Sequence, residues 1–327
     1  DEAIGCYRQA LALRPRYVDV MTNLGTVLRA QGRTLDAVEV LLNGLAAQPT
    51  NVRLCGSLAE TLRGFSLETC SPTVHAILVS LCGDDNIAKE DITVAVIGLL
   101  KNLPAVPCLL HAADCGSDPF SLTALEADAF TREPLLLTAL PRIVIADAVL
   151  ERVLTHMRRC LLLRTVVKKG LAVPDASMSH DFVCALARQC YYAEYPFFVA
   201  EDEARQASAL RAGLQAALQD PAVSPRNLER SLALVALYDS LHRLTGWERL
   251  LEPMPSQWSE AFRTVLLEQL VNSRREREIA SQLTAITDID DEISQAVRMQ
   301  YEETPYPLWM SIHNRPAITL EEHALTL

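Results

Sequence analysis

The chain of 327 residues carries a formal net charge of -11, and 50% of its residues are hydrophobic while 22% are charged. This composition supplies enough apolar surface for a packed core, which excludes a disordered, collagen-like or low-complexity chain. Because the acidic charge repels phosphate backbones and anionic lipids, we expect neither nucleic acid nor a membrane as a partner.

An internal repeat occupies the first 66 residues, where seven positions of matching character recur at a single offset of 34. Two sets of residues correspond in order at this offset. The first set is Ala3, Tyr7, Ala10, Pro15, Leu24, Gly25 and Leu28, and the second set is Ala37, Leu41, Gly44, Pro49, Leu58, Ala59 and Leu62. A 34-residue period with this alternation of small and large side chains resembles the tetratricopeptide repeat, a helix–turn–helix unit.

The small residues predict where the two helices of one repeat cross. Gly25 and Ala37 leave room for a close approach, and Leu24, Leu28 and Leu41 fill the seam between the helices. We expect one intact repeat over residues 18–51. The second helix of a partial repeat precedes it, and a degenerate first helix follows at residues 52–66. An unpaired second helix is typical of a longer array that continues upstream.

The repeats also predict a peptide-binding groove, because stacked units line a concave surface with the first helix of each unit. Its predicted lining is Asp19, Thr22, Asn23, Thr26 and Arg29. Asn23 resembles the groove asparagines of O-linked N-acetylglucosamine transferase, whose amides hold a peptide backbone. An amide suits this task because it donates and accepts at once. The alternative is that Asn23 is a solvated surface residue.

A larger helical domain is predicted over residues 67–297, because apolar residues recur there at spacings of three and four. The predicted helices cover residues 73–81, 92–103, 134–140, 147–167, 180–198, 204–218, 227–244 and 259–283. Only residues 142–145 are rich enough in β-branched side chains for a strand, and they have no obvious partner. The sequence therefore predicts an all-α fold, with tetratricopeptide-type helical hairpins followed by this larger domain.

Two cysteine–histidine groups are candidates for chemistry. Cys108, His111 and Cys115 would share one face of a helix, but a zinc site needs a fourth ligand and their neighbours are apolar. We therefore predict a core-facing cluster and no metal site. His156 and Cys160 lack a third orienting group, so we predict no catalytic residue there. We expect Arg152, Arg158 and Arg159 beside them to remain solvated.

The aromatic residues concentrate in residues 189–198, which contain three tyrosines and two phenylalanines in a chain that is only 6% aromatic. Such a cluster is a core nucleus in most helical domains, and the core interpretation is favoured here. A pocket wall or a partner-binding hot spot is the alternative.

The C-terminal residues 298–327 are predicted to form an aromatic and proline-rich linker. Prolines enforce an extended course after a helix that ends near residue 303, and aromatic side chains without a core of their own dock onto another surface. The predicted docking residues are Tyr301, Glu302, Glu303, Pro305, Tyr306, Pro307 and Trp309.

The string at residues 298–309, RMQYEETPYPLW, carries a resemblance to a known family. It is similar to the R-x-Q-Y-E-E-N-P-Y-P-R-W-like string of bacterial proteins that join a tetratricopeptide array and a helical region to a class I S-adenosylmethionine-dependent methyltransferase domain. Residues 154–159 and 187–195 also resemble that helical region. Thr304 and Leu308 depart from the family, which has Asn and Arg there, so any ligand contact made by those two positions is in doubt.

The resemblance implies that this chain is the non-catalytic, N-terminal portion of such a protein. The glycine-rich loop that binds the methyl donor would follow Trp309, and no such motif occurs among the 12 glycines of the chain. We therefore expect S-adenosylmethionine to be a cofactor of the parent protein and not of this chain. The expected function is a scaffold that binds a protein or peptide and docks onto the methyltransferase domain. The alternative is a substrate-binding or lid portion required for methyl transfer.

The nine cysteines form an odd number without a C-x-x-C pair. In a chain with its own hydrophobic core this pattern is typical of buried, reduced thiols. No apolar run reaches the roughly 20 residues that a membrane-spanning helix needs. The sequence therefore predicts a cytoplasmic protein.

Overall fold

The computed structural model describes residues 2–122, 124–168, 170–173, 179–251, 258–282 and 291–303. These residues form an all-α fold, as the sequence predicted. The chain divides into two compact units, of which the first ends at Val96 and the second begins at Ile97. The domain boundaries predicted after residues 66 and 297 differ from this division and stay predictions.

The first unit contains the N-terminal helices and the beginning of α6. Their bounds are α1 Glu2–Leu13, α2 Val18–Ala30, α3 Thr34–Ala47, α4 Val52–Leu62, α5 Pro72–Gly83 and α6 Lys89–Lys101. The N-caps of α4 and α5 follow the expected chemistry, since Asn51 Oδ1 accepts from Leu54 N and Ser71 Oγ accepts from Val74 N.

The second unit is also helical, with one short antiparallel hairpin. Its elements are α7 Val106–Cys115, α8 Pro119–Leu122, α9 Ala124–Thr131, α10 Pro134–Ala139, α11 Ala148–Leu163, β1 Val167–Lys168, β2 Leu171–Ala172, α12 His180–Tyr192, α13 Glu201–Gln219, α14 Glu229–Val235, α15 Glu260–Leu266, α16 Ser273–Gln282 and α17 Glu292–Glu303. Short 3₁₀ helices lie at Pro225–Leu228, Leu241–Arg243 and Trp247–Leu250, and a π-helical segment, Leu267–Asn272, joins α15 to α16.

The 34-residue period recurs in the backbone of the first unit. Helices α2 and α4 begin at Val18 and Val52, and α1 and α3 end at Leu13 and Ala47, so each pair is separated by 34 residues. The hydrogen bonds that close the two helix ends also match: each runs over 2.9 Å, from Arg14 N to Ala10 O and from Gln48 N to Gly44 O. The same local structure is therefore built twice.

Ion pairs between helices repeat as well. Arg29 of α2 donates to Glu60 of α4 over 2.9 Å, and Arg63, 34 residues after Arg29, donates to Asp91 of α6 over 2.6 Å. Equivalent arginines thus each reach an acidic residue on a later helix, as expected when successive units stack side by side.

Glycine sets the spacing of the first helices. A Cβ atom at Gly25 would lie 2.7 Å from Cδ2 of the fully buried Leu41, and one at Gly44 would lie 2.9 Å from Cδ1 of Leu54. Helix α3 therefore packs closely against α2 through the first contact and against α4 through the second. Ala37, Leu24 and Leu28 are buried in this seam, as the sequence predicted.

A second close approach anchors the hairpin of the second unit. Gly170, in the turn between β1 and β2, has a φ of 79°. If Gly213 of α13 carried a Cβ atom, that atom would lie 2.2 Å from the carbonyl oxygen of Gly170. Ser231 Oγ of α14 accepts a hydrogen bond from Ala172 N over 2.9 Å. The hairpin is therefore fixed to two helices, although its residues gave no strand signal in the sequence.

Several predicted helices differ from the observed ones. The helix predicted over residues 147–167 ends at Leu163, the one over 180–198 ends at Tyr192, and the one over 227–244 is interrupted after Val235. Residues 142–145 do not form a strand. Helices α8 and α9 lie in a part of the chain where periodicity had predicted no helix, and α7 was expected only from the spacing of Cys108, His111 and Cys115.

The nine cysteines all lie within the described residues, and none of them is joined in a disulfide. Cys55, Cys82, Cys160, Cys184 and Cys190 are buried, as predicted, and Cys70 is half-buried. The prediction is wrong for Cys6, Cys108 and Cys115, which are exposed. Among the described helices, none alone has the length and apolar character needed to cross a membrane, whereas α6 and α7 meet that test together across a 73° bend.

Candidate functional site

The predicted groove residues lie on one helix, α2, and most of them are exposed. Asp19, Asn23, Thr26 and Arg29 follow one another at spacings of four, three and three residues, which places them on a single helical face. Together with Arg53, Ser57 and Glu60 of the neighbouring α4, these four residues form the α2–α4 face.

Two ion pairs connect the helices at the two ends of this face. Arg53 Nη1 lies 3.1 Å from Asp19 Oδ1, and Arg29 Nη2 lies 2.9 Å from Glu60 Oε2. Each side chain is at least 40% exposed, so each pair adds at most about 1 kcal/mol to stability. Their main consequence is that these charged groups largely neutralise one another.

Thr22 does not belong to the exposed surface. It is only 5% exposed, and its hydroxyl donates to Val18 O over 3.0 Å within α2. The expectation that its side chain faces a groove is therefore wrong. Thr26 is exposed, but its hydroxyl likewise donates within the helix, to Thr22 O over 3.1 Å.

Asn23 lies between the two ion pairs and differs from its neighbours. No described residue is a hydrogen-bond partner of its side-chain amide, which is exposed. The amide therefore presents an acceptor oxygen and two N–H donors to the solvent on a face whose charged residues are already paired.

A pocket opens at the N-terminal end of the same face, between the two turns that precede α2 and α4. Its volume is about 250 Å³, and it is lined by Arg14, Arg16, Tyr17, Val18, Asp19, Gln48 and Asn51. Sequence reasoning missed this pocket. The repeat could have indicated it, because residues 14–17 and 48–51 are equivalent at the 34-residue offset. Equivalent segments form matching turns on the same side of adjacent helices.

The group Cys108, His111 and Cys115 lies on α7, as predicted, but on its exposed face and not in the core. Val106, Leu109 and Ala112 supply the buried face of this helix. Only His111 and Cys115 approach one another, with 3.6 Å between Nε2 and Sγ. Within the described part of the chain, no three His, Cys, Asp or Glu side chains are arranged to hold a metal ion.

His156 and Cys160 contact one another in the interior of the second unit. His156 Nε2 lies 2.7 Å from Ser117 O and 3.6 Å from Cys160 Sγ. Burial and the nearby Asp118 carboxylate raise the pKa of Cys160 to about 12. A thiol with this pKa is not a nucleophile at neutral pH.

Arg158 is buried, whereas the sequence predicted a solvated side chain. It is 1% exposed, and its Nη2 donates to Phe198 O over 2.8 Å and to Glu203 Oε1 over 3.2 Å. The Tyr238 hydroxyl donates to the same carboxylate oxygen over 2.7 Å, and Ala200 N donates to Glu203 Oε2. The missed signal was the position of Arg158 on the apolar stripe of its own helix.

A third polar cluster joins α12, α14 and the start of α15. His180 Nε2 lies 2.8 Å from Glu229 Oε1, to which the Ser259 hydroxyl also donates. Burial disfavours ionisation of Glu229, but the hydrogen bonds from His180 and Ser259 outweigh it and lower the pKa of this carboxyl group. The Ser259 hydroxyl lies beside the Glu229 carboxylate and not beside the His180 imidazole. A serine nucleophile needs the imidazole as its base, so this arrangement does not activate Ser259.

The aromatic stretch at residues 189–198 divides between core and surface. Cys190 and Phe197 are buried, while Phe198 is 78% exposed. Between them the chain turns through Glu194 and Tyr195, whose φ angles of 60° and 56° lie in the left-handed region that is unfavourable for side chains other than glycine. The core interpretation therefore holds for part of the stretch only.

The predicted docking residues lie at the C-terminal end of the chain. Tyr301, Glu302 and Glu303 form the last residues of α17. Pro305, Tyr306, Pro307 and Trp309 lie outside the described residues, so their docking role stays a prediction.

No family model, curated protein or solved structure matches the chain. Among the groups of side chains described above, the buried clusters make most of their hydrogen bonds within the fold, although Arg158 Nε, Glu194 Oε1 and Tyr195 OH have no partner there. The α2–α4 face and its adjoining pocket present polar groups without intramolecular partners at the surface, where a ligand can reach them, which makes them the candidate functional site.

Proposed function

We propose that residues 1–66 are tetratricopeptide-type hairpins whose α2–α4 face binds an extended peptide. The observation that carries this proposal is the exposed, unpartnered amide of Asn23 between two inter-helix ion pairs. Each residue of an extended peptide offers one N–H donor and one carbonyl acceptor. A single amide can bind both, whatever the peptide sequence.

The neighbouring groups support this role for Asn23. Asp19 and Arg53 neutralise each other, as do Arg29 and Glu60, so a peptide backbone would not have to compete with an unpaired charge. These exposed pairs are weak and can rearrange around a bound chain. The competing explanation is an ordinary solvated face, on which polar residues need no partner other than water.

Recovery of peptides from a random library separates these explanations. The wild-type chain is compared with Asn23→Ala, and Asn43→Ala serves as the matched control because Asn43 is also exposed on a helix, α3, outside the α2–α4 face. Alanine favours a helix more than asparagine does, by up to about 0.7 kcal/mol, so neither variant loses its fold.

We expect the wild-type chain and Asn43→Ala to recover the same peptides. Asn23→Ala should recover at least about fivefold less peptide, because it loses two hydrogen bonds to the peptide backbone. Equal recovery by all three proteins would contradict binding through Asn23.

We further propose, on the sequence resemblance alone, that this chain serves as the N-terminal portion of a tetratricopeptide protein with an S-adenosylmethionine-dependent methyltransferase domain. Its helical domain would be a docking platform for that domain or, alternatively, a substrate-binding or lid portion. Free thiols at the surface favour a reducing compartment, the cytoplasm. Calorimetric titration with S-adenosylmethionine tests whether the cofactor site belongs to the methyltransferase domain and not to this chain. The chain itself should not bind the cofactor, and tight binding would contradict the proposal.

A further inference from the structure

The pocket at the N-terminal end of the α2–α4 face is rich in positive charge and in hydrogen-bond donors. Both Arg14 and Arg16 line it. Within the described residues, neither arginine has a carboxylate partner. The acidic residue in the lining, Asp19, is paired with Arg53 over 3.1 Å. Two positive charges are therefore left uncompensated in a chain whose net charge is -11.

The two amide side chains of the pocket, Gln48 and Asn51, have their oxygen atoms occupied. Asn51 Oδ1 accepts from Leu54 N over 3.1 Å, and Gln48 Oε1 accepts from Asn51 Nδ2 over 3.1 Å. No described residue accepts from Gln48 Nε2, so the N–H donors of this lining residue have no intramolecular partner. Tyr17 positions one of the cations, since the Arg14 guanidinium lies 5.2 Å from its ring centroid.

We propose that this pocket binds an oxyanion, the chemistry shared by carboxylate and phosphate groups. Planar guanidinium groups match the oxygen spacing of both anions and bind them through charge-assisted hydrogen bonds. The volume of about 250 Å³ lies below the roughly 300–1,000 Å³ of sites for whole small molecules. The pocket therefore suits a single anionic group, and it does not depend on peptide binding by Asn23.

The test is a titration of the full chain followed by NMR of its backbone amides and arginine side chains. Inorganic phosphate and acetate are added in separate arms, and sodium chloride at matched ionic strength controls for screening. The variant Arg14→Gln/Arg16→Gln removes both cations. Arg8→Gln is the matched control, because Arg8 is exposed on α1 and does not line the pocket.

The wild-type chain should show saturable shifts at residues 14–19, 48 and 51 with phosphate, acetate or both, and the arm that saturates at the lower concentration identifies the preferred oxyanion. Arg8→Gln should behave like the wild-type chain. The double variant should bind at least about tenfold more weakly, with the rest of its spectrum unchanged. The proposal is overturned if neither anion saturates, if chloride produces the same shifts, or if the double variant binds as tightly as the wild-type chain.

Discussion

Gly25 shows how one absent methyl group sets the distance between two helices. The sequence identified this residue because its repeat partner is Ala59 and because a large side chain was expected across the seam. The structure places the fully buried Leu41 there, so an added methyl group would meet its side chain. Spacing and residue size were sufficient for this prediction, because a close crossing requires a small residue at a fixed position in the repeat.

Gly25→Ala should destabilise the first unit by about 1–3 kcal/mol, since the new methyl group would lie 2.7 Å from the Leu41 side chain. Gly56→Ala is the matched control: no atom outside its own helix lies within 4 Å of the new Cβ, so it should stabilise α4 by about 0.5–1 kcal/mol. Hydrogen exchange of the α2, α3 and α4 amides measures both changes. A neutral Gly25→Ala would show that the crossing is not tight.

Glu229 makes the stability of the second unit depend on pH. Burial opposes its ionisation, but the hydrogen bonds from His180 and Ser259 prevail, and the pKa of the carboxyl group is lowered from its ordinary value of 4.5. The ionised carboxylate therefore stabilises the folded chain above about pH 4.5, and this stabilisation is lost as the pH falls below that value.

Glu229→Gln should consequently lower the urea midpoint at pH 7 and have a smaller effect at pH 3.5. Tryptophan fluorescence follows the transition, because the nearby Trp258 ring packs on Phe262 with 5.3 Å between centroids. Glu39→Gln, at an exposed position on α3, should leave the midpoint unchanged at both pH values. A Glu229→Gln effect that is equal at the two pH values would exclude this ionisation as the cause.

The elements of the second unit were harder to predict than those of the first. Periodicity located α10 and α13 to within a few residues, but it could not foresee where tertiary contacts end a helix. After α14, Leu241 N bonds to the buried Gln269 Oε1 over 3.0 Å in place of an intrahelical carbonyl. Gln269 reaches this position from the π-helical segment, whose extra residue per turn leaves no clear signal in the sequence.

Helix α12 ends for a reason that the sequence did show in part. Pro196 disfavours a helical conformation at the residue before it. The left-handed φ angles of Glu194 and Tyr195 could not be predicted, because neither is a glycine. Such residues persist only where the surrounding structure holds them. Here Tyr195 N donates to Cys190 O over 2.9 Å, which closes the end of the helix.

Arg158 and Glu203 join α11 to α13, and their contact can be measured as a coupling between these elements. Arg158→Met should cost about 3–5 kcal/mol, because Glu203 would remain buried without its cation. Glu203→Gln keeps a group able to hydrogen-bond with Tyr238 and Ala200, but it removes the negative charge.

The double variant should lose about 1–3 kcal/mol less free energy of unfolding than the two single variants lose together. Urea unfolding of the wild-type chain and the three variants completes this cycle. Strict additivity would show that the two side chains do not stabilise each other.

At the scale of the whole molecule, the sequence predicted the all-α fold class correctly, whereas the tetratricopeptide assignment and the groove stay predictions. The 34-residue offset implied matching turns and helices, and these appear in the bounds of α1 to α4 and in their hydrogen bonds. The offset did not reveal that Thr22 is buried or that a pocket opens between the two turns. Those features depend on how far each helix is rotated about its axis, which residue type alone does not determine.

The most direct test of peptide binding by the α2–α4 face is hydrogen–deuterium exchange of the full chain with and without a peptide selected from the library. We predict slower exchange in α2 and α4, an unchanged rate in α12, and loss of the effect in Asn23→Ala. Protection confined to the second unit, or protection of α2 that persists in Asn23→Ala, would contradict this prediction.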